Sequence, residues 1–373
     1  MNKHGWTYKK LGEVCDVEYG TRVVKKRDEG EIYPVYGGGG ATFKMNRFNR
    51  ENRVVISRFA MSPKCTRWVE GKFYLNDSGL TLKSNDKSLN QSFLDCCVLS
   101  LNDKIYLFGR GVAQKNLKVE DLINLVIPIP SKNEQETIVA ELDEINETIE
   151  LLKQQVADLD ALAQSTFYTM FGDPVTNERG WEVKKLGELY KVTSSKRILQ
   201  SEWQNKGVPF YKVADIVNLI NEVPVVPLTY IRETTYEELK NQGQVPVCAD
   251  ILITSRGTLG QCFIIKNDDR FYFQDGMITW LSQKAESPLP IYVKSLFSVN
   301  NFRNNLIQKA NSSTVAYLSI TQIAKIPIPI PPLALQQEFA AKVEAIESAK
   351  AEINAQIAEM QTLLASRMDY YFD

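Results

Sequence analysis

The chain of 373 residues repeats part of its own sequence. Residues 6–13 and 181–188 are identical at six of eight positions, beginning with Trp and ending with Leu-Gly-Glu. Ile-Pro-Ile-Pro occurs at residues 127–130 and again at 328–331, and a helix-forming segment follows each copy. Ser165 and Phe171 then recur as Ser366 and Phe372 at one constant offset. Because such a repeat requires related structural units to recur, we predict two similar halves.

The middle parts of the two halves are more divergent than their ends. Residues 54–58 (Val-Val-Ile-Ser-Arg) resemble 251–256 (Ile-Leu-Ile-Thr-Ser-Arg), and residues 73–77 resemble 271–275. Similar ends around dissimilar middles indicate a common scaffold that carries two different specificities. We therefore predict two α/β (α+β) recognition domains in tandem, separated by two long helices. The predicted boundaries are 1–130 and 174–331 for the domains, and 131–173 and 332–373 for the helices.

Each predicted helix carries apolar residues at alternating spacings of four and three, which is a heptad pattern. Ser131 and Glu134 form a candidate capping box for the first helix, and Gly-Asp-Pro at 172–174 ends it. One heptad helix is often only a core helix, but two matched helices predict an antiparallel coiled coil with an internal pseudo-two-fold repeat. The predicted pairing residues are Ile138, Leu142, Ile145, Ile149, Leu152, Val156 and Leu159 of the first helix, continuing to Leu162, and Phe339, Val343, Ile346, Ile353, Ile357 and Met360 of the second, continuing to Leu363.

Lys350 is the one residue that interrupts this seam in the second helix. A lone polar residue in a seam can set the register of pairing. Alternatively, the lysine stem can extend past the edge of the seam and leave its ammonium group in water. The sequence leaves both interpretations open.

The net charge of −1 hides a segregation of charge along the chain. Residues 1–130 carry +7 and residues 174–326 carry +4, whereas residues 131–173 carry −8 and 327–373 carry −4. Basic domains suit a polyanion such as DNA, whereas acidic helices would be repelled by phosphates and suit a protein partner. A charge run on its own is more often a solvated face, so the repeat is what favours the DNA interpretation.

The sequence also limits the compartment. It has no apolar stretch long enough to cross a bilayer, and its first residues lack the apolar core of a signal peptide. Its six cysteines contain no Cys-x-x-Cys pair, so we expect small buried hydrophobes rather than a metal site. We therefore expect a cytoplasmic protein that binds no metal.

Motifs for catalysis are missing from the sequence. Ser-His-Asp and Cys-His schemes need a positioned histidine, and the only histidine is His4 near the start of the chain. The glycine run at residues 37–40 is followed by no Gly-Lys-Ser/Thr, so it is not a phosphate-binding P-loop. It loosely resembles the S-adenosylmethionine loop of methyltransferases, but the Asp/Asn-Pro-Pro-aromatic element of adenine-specific enzymes is absent. A plain turn or a DNA-facing loop remain the two interpretations of this run.

The ordered set of motifs resembles the specificity (S) subunit of type I restriction–modification systems over essentially the whole chain. The set comprises the tandem layout, the Trp-x-x-x-x-Leu-Gly-Glu openings, the Ile-Pro-Ile-Pro entries to long helices, the pattern at residues 109–117, and Phe-Gly-Asp-Pro at 171–174. Two positions depart from the family pattern. Residues 332–337 lack the glutamate that often begins the helix, and Asn-Ser-Ser-Thr at 311–314 replaces the Gly-Arg-Gly-Val of 109–112, so the two domains should recognise different bases.

The resemblance implies a non-catalytic DNA-binding subunit with one recognition domain for each half of a bipartite target. It also implies two methyltransferase (M) subunits as partners, restriction/translocase (R) subunits that join them, and double-stranded DNA as the ligand. No cofactor is expected in this chain, because S-adenosylmethionine would belong to the M subunit.

We predict that DNA is contacted by basic or hydroxyl residues in loops beside glycine or proline. Arginine leads because it can donate two hydrogen bonds to guanine, although a solvated surface charge is an equally common role for any single residue. Arg58 and Arg256 are favoured because each follows an apolar strand. The full set is Arg22, Lys25, Lys26, Arg58, Lys64, Arg110 and Lys115 in the first domain, and Lys196, Arg197, Lys212, Arg256, Ser312 and Ser313 in the second.

Two other classes of function compete with this prediction. The chain could be a DNA methyltransferase or nuclease in its own right, against which the missing motifs argue. It could also be a coiled-coil scaffold without a DNA role. Assays of activity on the pure chain and of DNA binding with the partner present would separate the three.

Overall fold

The computed structural model describes residues 5–112, 114–257, 259–309 and 317–372. The chain divides into two compact units. The first consists of Met1–Lys153 and Asn354–Asp373, and the second of Gln154–Ile353. Both are mixed α/β structures, as the sequence predicts. Each unit contains the start of one long helix and the end of the other, so the units divide the helices near their middles.

The first unit contains a six-stranded sheet with the strand order β2-β7-β5-β6-β3-β4. Two small antiparallel pairs, β1 with β10 and β8 with β9, accompany it. The strands are β1 (Thr7–Lys10), β2 (Cys15–Tyr19), β3 (Tyr33–Gly37), β4 (Gly40–Met45), β5 (Arg50–Ser57), β6 (Thr66–Leu75), β7 (Gly79–Ser84), β8 (Gly109–Arg110), β9 (Asn116–Leu117) and β10 (Val126–Ile129). The helices are α1 (Leu11–Val14), α2 (Lys25–Asp28), α3 (Gln91–Ser100), α4 (Asn102–Leu107), α5 (Val119–Ile123) and the start of α6 (Lys132–Phe171).

Strand β5 is buried on both faces of this sheet. Val54 and Ile56 belong to the core that contains Phe93 of α3, whereas Val55 belongs to a separate cluster on the opposite face. Successive side chains of a strand point to opposite faces, so the run Val-Val-Ile supplies both clusters. This burial fixes the position of the loop that follows β5.

In each unit the repeated opening motif pairs with the repeated proline motif. Thr7 pairs with Ile129 in the first unit, and Glu182 pairs with Ile330 in the second, both in antiparallel ribbons of two strands. A two-stranded ribbon tolerates proline because only one edge of each strand is hydrogen-bonded. The ribbon thus joins the start of each recognition domain to the residues that lead into a long helix.

The second unit has a four-stranded sheet in the order β12-β18-β15-β16 and a three-stranded sheet in the order β14-β13-β17. Its strands are β11 (Glu182–Lys185), β12 (Tyr190–Thr193), β13 (Val208–Tyr211), β14 (Tyr230–Ile231), β15 (Ile251–Thr254), β16 (Cys262–Ile264), β17 (Tyr272–Phe273), β18 (Ile278–Gln283) and β19 (Pro327–Ile330). Its helices are α7 (Leu186–Leu189), α8 (Val213–Ile220), α9 (Glu233–Asn241), α10 (Pro290–Ser298), α11 (Asn300–Lys309), α12 (Ile320–Ala324) and the start of α13 (Leu333–Phe372), with a 3-10 turn at Gln200–Glu202.

The two long helices pair in opposite directions, which confirms the predicted antiparallel coiled coil. In the first unit the start of α6 packs against the end of α13, where Glu141 forms an ion pair with Arg367 and Phe93 packs on Phe372. In the second unit the end of α6 packs against the start of α13, through ring contacts of Phe167 with Phe339. Ser131 and Glu134 form the predicted capping box, with the Ser131 N–H donating to the glutamate over 2.9 Å.

The predicted pairing residues differ in burial along the helices. Ile138, Leu142, Ile145 and Ile149 of α6 and Phe339, Val343 and Ile346 of α13 are buried. Leu152, Val156, Leu159, Ile353, Ile357 and Met360 are half-buried. The prediction that Leu162 and Leu363 continue the seams is wrong, because their side chains are 50% and 40% exposed. The alternation of three and four requires a step of four at both places, so half-buried Ala163 and Leu364 continue the pattern instead.

A buried glutamine attaches each long helix to its own recognition domain. The Gln135 amide oxygen accepts from the Asn90 N–H over 2.7 Å, and its NH2 group donates to the carbonyls of Ser88 and Pro130 over 2.7 and 2.9 Å. Gln336, at the same place in the second unit, accepts from the Leu289 N–H over 2.9 Å and donates to the Pro331 carbonyl over 2.8 Å.

Candidate nucleic-acid interface

Backbone hydrogen bonds bring five loops together at one end of the first sheet. The Gly20 N–H donates to Gly79, the Arg58 N–H donates to Ser78 and the Leu117 N–H donates to Arg58. These segments lie beyond strand ends, where side chains are not needed for the core. We call this surface the first loop edge; it comprises residues 19–22, 37–40, 57–61, 76–79, 109–112 and 114–117.

The Arg58 side chain lies against two aromatic rings of the first loop edge. Its guanidinium carbon is 4.9 Å from the centroid of Tyr19 and 4.6 Å from that of Phe59. Both rings are partly solvent-exposed, at 47% and 38%. Stacking on aromatic faces restricts the rotamers of an arginine while leaving its N–H groups available for hydrogen bonds. Arg58 is therefore held in place at an accessible position.

Gly38 and Gly39 of the glycine run form a turn that is the two-residue connection between β3 and β4. The Gly38 carbonyl accepts hydrogen bonds from Ser57 Oγ over 2.7 Å and from an Arg67 Nη over 2.6 Å. The Gly38 N–H donates to Ser78 Oγ over 3.1 Å. Three side chains from other strands and loops thus hold Gly38, so the turn has a fixed place against Ser57 and Phe59, the neighbours of Arg58 in the chain.

The hairpin of β8 and β9 lies at the same edge. The Lys115 ammonium is 4.0 Å from the centroid of Tyr106, and the Lys115 carbonyl accepts from the Met61 N–H over 2.9 Å. Arg110, by contrast, forms an ion pair with Asp121 over 2.8 Å. Lys115 is thus positioned much as Arg58 is, whereas Arg110 would have to exchange a carboxylate for a phosphate or base.

The other predicted residues of the first domain are exposed but less constrained. Arg22 follows Thr21, whose N–H donates to Leu75, so it belongs to the first loop edge. Lys25 and Lys26 lie on the short helix α2, where Lys25 pairs with Glu29 over 3.4 Å. Lys64 is exposed, and its carbonyl accepts a long hydrogen bond from Arg67. The structure brings Arg22, Arg58, Arg110 and Lys115 together and leaves the lysine pair on a separate helix.

The second unit builds an equivalent edge with the same backbone hydrogen bonds. The Ser255 N–H donates to Met277, and the Leu318 N–H donates to Ser255, both over about 3 Å. Ser194 Oγ donates to the Ile278 carbonyl over 2.8 Å. We call this surface the second loop edge; it comprises residues 194–197, 211–212, 254–257, 274–279 and 317–318.

These bonds show that Arg58 and Arg256 are not equivalent positions. Arg58 makes the backbone bonds that Ser255 makes in the second unit, so Arg256 lies one residue further along the chain. The Ser255 side chain is buried and hydrogen-bonded to Thr279 over 2.6 Å. Arg256 is exposed, and its backbone forms a bridge with Tyr317. Both arginines follow an apolar strand as predicted, but they approach a ligand from different places.

The remaining predictions for the second domain lie partly on the second loop edge. Lys196 and Arg197 are exposed there, and the Lys196 N–H donates to the Tyr272 hydroxyl oxygen over 2.7 Å. The Lys212 ammonium is 4.7 Å from the centroid of Trp203. Ser312 and Ser313 lie outside the described residues.

Most of the cysteines are poor nucleophiles because their thiols are buried. Burial raises the pKa of Cys15, Cys96 and Cys262 to about 12 and that of Cys65 to about 11, so these thiols stay protonated near neutral pH. Cys248 is exposed, so the expectation that the cysteines are buried is wrong for this residue. Among the described residues no group of three or more acidic, cysteine or histidine side chains could hold a metal ion.

Sequence reasoning missed the residues that hold the predicted ones in place. Tyr19, Phe59 and Arg67 come from separate segments, and their meeting depends on strand order. A glycine-rich turn followed downstream by an arginine on an alternating strand carries no pattern that would pair the two.

Within the described ranges, no helix is long and apolar enough to cross a membrane.

Two similar α/β units, each with a loop edge of different side chains on the same backbone scaffold, define a tandem recognition protein. A family model described as the type I restriction modification DNA specificity domain matches residues 3–161 and 178–360. The chain therefore belongs to the family of type I restriction–modification specificity subunits, with a DNA-recognition domain in each half.

Individual relatives agree with this assignment. A Haemophilus influenzae protein assigned as a type I restriction enzyme specificity subunit is 25% identical, over 98% of this chain and 93% of its own. The MjaIX specificity subunit of Methanocaldococcus jannaschii is 31% identical over 35% of this chain and 33% of its own. The crystal structure of the S subunit from M. genitalium has the same fold, with a TM-score of 0.56 at 18% identity, covering 100% of this chain and 97% of that one.

Proposed function

We propose that the chain recognises a bipartite DNA target, with one half-site bound by each recognition domain. The observation that carries the proposal is the pair of loop edges. Both units make the same backbone hydrogen bonds around Arg58 and Ser255, yet the side chains presented there differ. A common scaffold with different contact residues is what two unlike half-sites require.

In this proposal the first domain recognises its half-site mainly through Arg58, with Lys115 and Arg22 beside it. The second uses Arg256, Lys196, Arg197 and Lys212, and Ser312 and Ser313 stay predictions of the sequence. Arg110, Lys25, Lys26 and Lys64 are proposed to contact phosphates. Net positive charge on both domains supports binding to a polyanion.

The chain itself is proposed to be non-catalytic. Two methyltransferase subunits, which bind S-adenosylmethionine, would dock on it, and restriction/translocase subunits would join the complex. The acidic helices support a protein partner rather than DNA along α6 and α13. Transfer of labelled methyl groups to DNA by the isolated, nuclease-free chain would contradict this part of the proposal.

The experiment that tests the proposal maps methylated sites in cells that carry the chain with its methyltransferase partner, and in cells that lack the chain. We expect a split motif with two defined parts and an unspecified spacer. Failure of any motif to depend on the chain would contradict the DNA role.

Replacing Arg58 by Ala tests the assignment of the first half-site. If Arg58 contacts a base, the binding free energy of the complex for its target should become less favourable by about 1–3 kcal/mol. Discrimination between bases should weaken at one half-site only. Arg256→Ala is the matched variant for the other half-site. An equal loss on target and random DNA would show instead that the residue contacts a phosphate.

A further inference from the structure

One backbone difference between the two recognition domains lies on the described part of their loop edges. The Asn76 N–H donates to Tyr36 and the Gln274 N–H donates to Tyr211, each over 2.9 Å, from strands that pair in parallel with their neighbours. The two tyrosines are therefore equivalent. In the first unit the glycine turn at residues 37–40 follows, whereas in the second Lys212 and helix α8 follow.

At three of the four glycines in the turn, the packing or the backbone conformation of the protein disfavours a side chain. A Cβ atom on Gly37 would lie 2.4 Å from Ser78 Oγ, and one on Gly38 would lie 3.1 Å from the Phe59 carbonyl oxygen. Gly40 has a φ of +121°, which side chains rarely adopt. Protein packing and backbone conformation thus explain Gly37, Gly38 and Gly40.

Gly39 has no such explanation. It is exposed, a Cβ atom there would meet nothing within 4 Å, and its φ lies outside the left-handed region. An alanine would fit without strain and would reduce the conformational entropy of the unfolded chain, so glycine at this position destabilises the protein. Neither packing nor backbone conformation accounts for glycine here, and its missing side chain leaves the outer surface of the turn open to a ligand.

We propose that Gly39 is a specificity-determining position of the first recognition domain, where the lack of a side chain lets the turn lie directly against the DNA of the first half-site. This inference rests on the proposed function. Three features support it: the turn adjoins the Phe59 carbonyl that follows Arg58, Ser57, Ser78 and Arg67 hold it in place, and the Arg67 cation contacts it.

The test uses the complex of the full chain with its methyltransferase partner and duplexes that carry the mapped target. One duplex is intact, one is altered in the first half-site, one in the second and one in both. The variants are Gly39→Ala and Gly39→Leu. We expect Gly39→Leu to lower affinity for the intact target roughly 10–100-fold, the range of a lost base contact, and to weaken discrimination at the first half-site only.

Thermal stability provides the readout that separates a DNA contact from a folding defect. Gly39→Ala should melt at the wild-type temperature or ~1–3 °C above it while binding its target more weakly. Gly38→Ala is the matched variant next to it, and it should melt lower because its Cβ atom meets Phe59, Ser57 and Ser78. Discrimination at the second half-site, which should not change, is the internal control.

Each outcome decides the inference. Wild-type affinity and discrimination in Gly39→Leu would overturn it and leave the proposed function standing. A lower melting temperature for Gly39→Ala, or equal losses at both half-sites, would also overturn it, because the loss would then come from the fold. A wild-type complex that does not discriminate target from altered duplexes would refute the proposed function itself.

Discussion

Replacing Gln135 by Leu should destabilise the first unit strongly although the two side chains are similar in size. Gln135 is fully buried and makes three hydrogen bonds, to Asn90, Ser88 and Pro130. Asn90 also caps α3 by accepting from the Ser92 N–H over 2.8 Å. The glutamine therefore ties the first turn of α6 to the helix that covers the sheet.

The size of the effect follows from the groups left without partners. An unsatisfied buried donor or acceptor costs about 1–3 kcal/mol. The Pro130 carbonyl bond is buried, whereas the bonds to Asn90 and Ser88 are partly buried and can be replaced in part by water. We expect a total loss of ~2–5 kcal/mol in the free energy of unfolding of the first unit. Gln336→Leu, which removes two hydrogen bonds, should cost the second unit less.

Hydrogen–deuterium exchange measured on peptides of α3 and β5 reports on the first unit alone, and peptides of α10 and β15 report on the second. Gln135→Leu should speed exchange in the first set and leave the second set unchanged. Gln155→Leu, at an exposed position of the same helix, is the control for an added leucine. A cost below ~0.5 kcal/mol for Gln135→Leu, within the range of ordinary surface substitutions, would refute the reasoning.

Other predictions follow from single contacts. Burial raises the pKa of Asp95 to about 6, above its value in the unfolded chain, so the free energy of unfolding falls as pH rises from about 4 to about 6. Asp95→Asn should therefore stabilise the first unit by ~1–3 kcal/mol at pH 7, and its free energy of unfolding should depend less on pH across that interval. Lys350→Ile copies Ile149, its counterpart in the first helix, and removes an ion pair with Asp160; denaturation should show a change of ~0–2 kcal/mol toward greater stability, and a clear loss would favour the register role of the lysine. Tyr19→Leu should weaken binding of the first half-site about 2–5-fold in titrations with target DNA, and the effect should vanish in the Arg58→Ala background.

Much of the architecture could be predicted because it depends on local patterns. The repeated Trp motif and the Ile-Pro-Ile-Pro motif predicted two related halves, and the structure pairs these motifs with each other in both units. The heptad spacing predicted two long helices, and Gly172 marks the end of α6. The prediction failed at Leu162 and Leu363, where a heptad step of three was used in place of four. A one-residue shift in a helix turns a side chain by about 100°, so these residues lie off the seam.

The candidate site could be predicted only in part. Arg58 and Lys115 were identified from residue type and neighbouring glycine or strand residues, and both lie on the first loop edge. The rings that hold Arg58 and the side chains that hold Gly38 were not identified, because each comes from a segment distant in sequence. Buried Gln135 and Gln336 share one repeat offset, but nothing in their residue type predicts three or two hydrogen bonds.

The sequence by itself determined that this chain has two related recognition units and two helices that pair, since repeats, heptads and proline motifs act over a few neighbouring residues. Only the tertiary structure decided which residues of the two units are equivalent. Arg58 and Arg256 look alike in sequence, yet the N–H groups of Arg58 and Ser255 donate to the carbonyls of Ser78 and Met277, which makes Ser255 the counterpart of Arg58. The physical reason is that strand register and loop position are set by contacts between distant segments, and an offset of one residue moves a side chain to the other face.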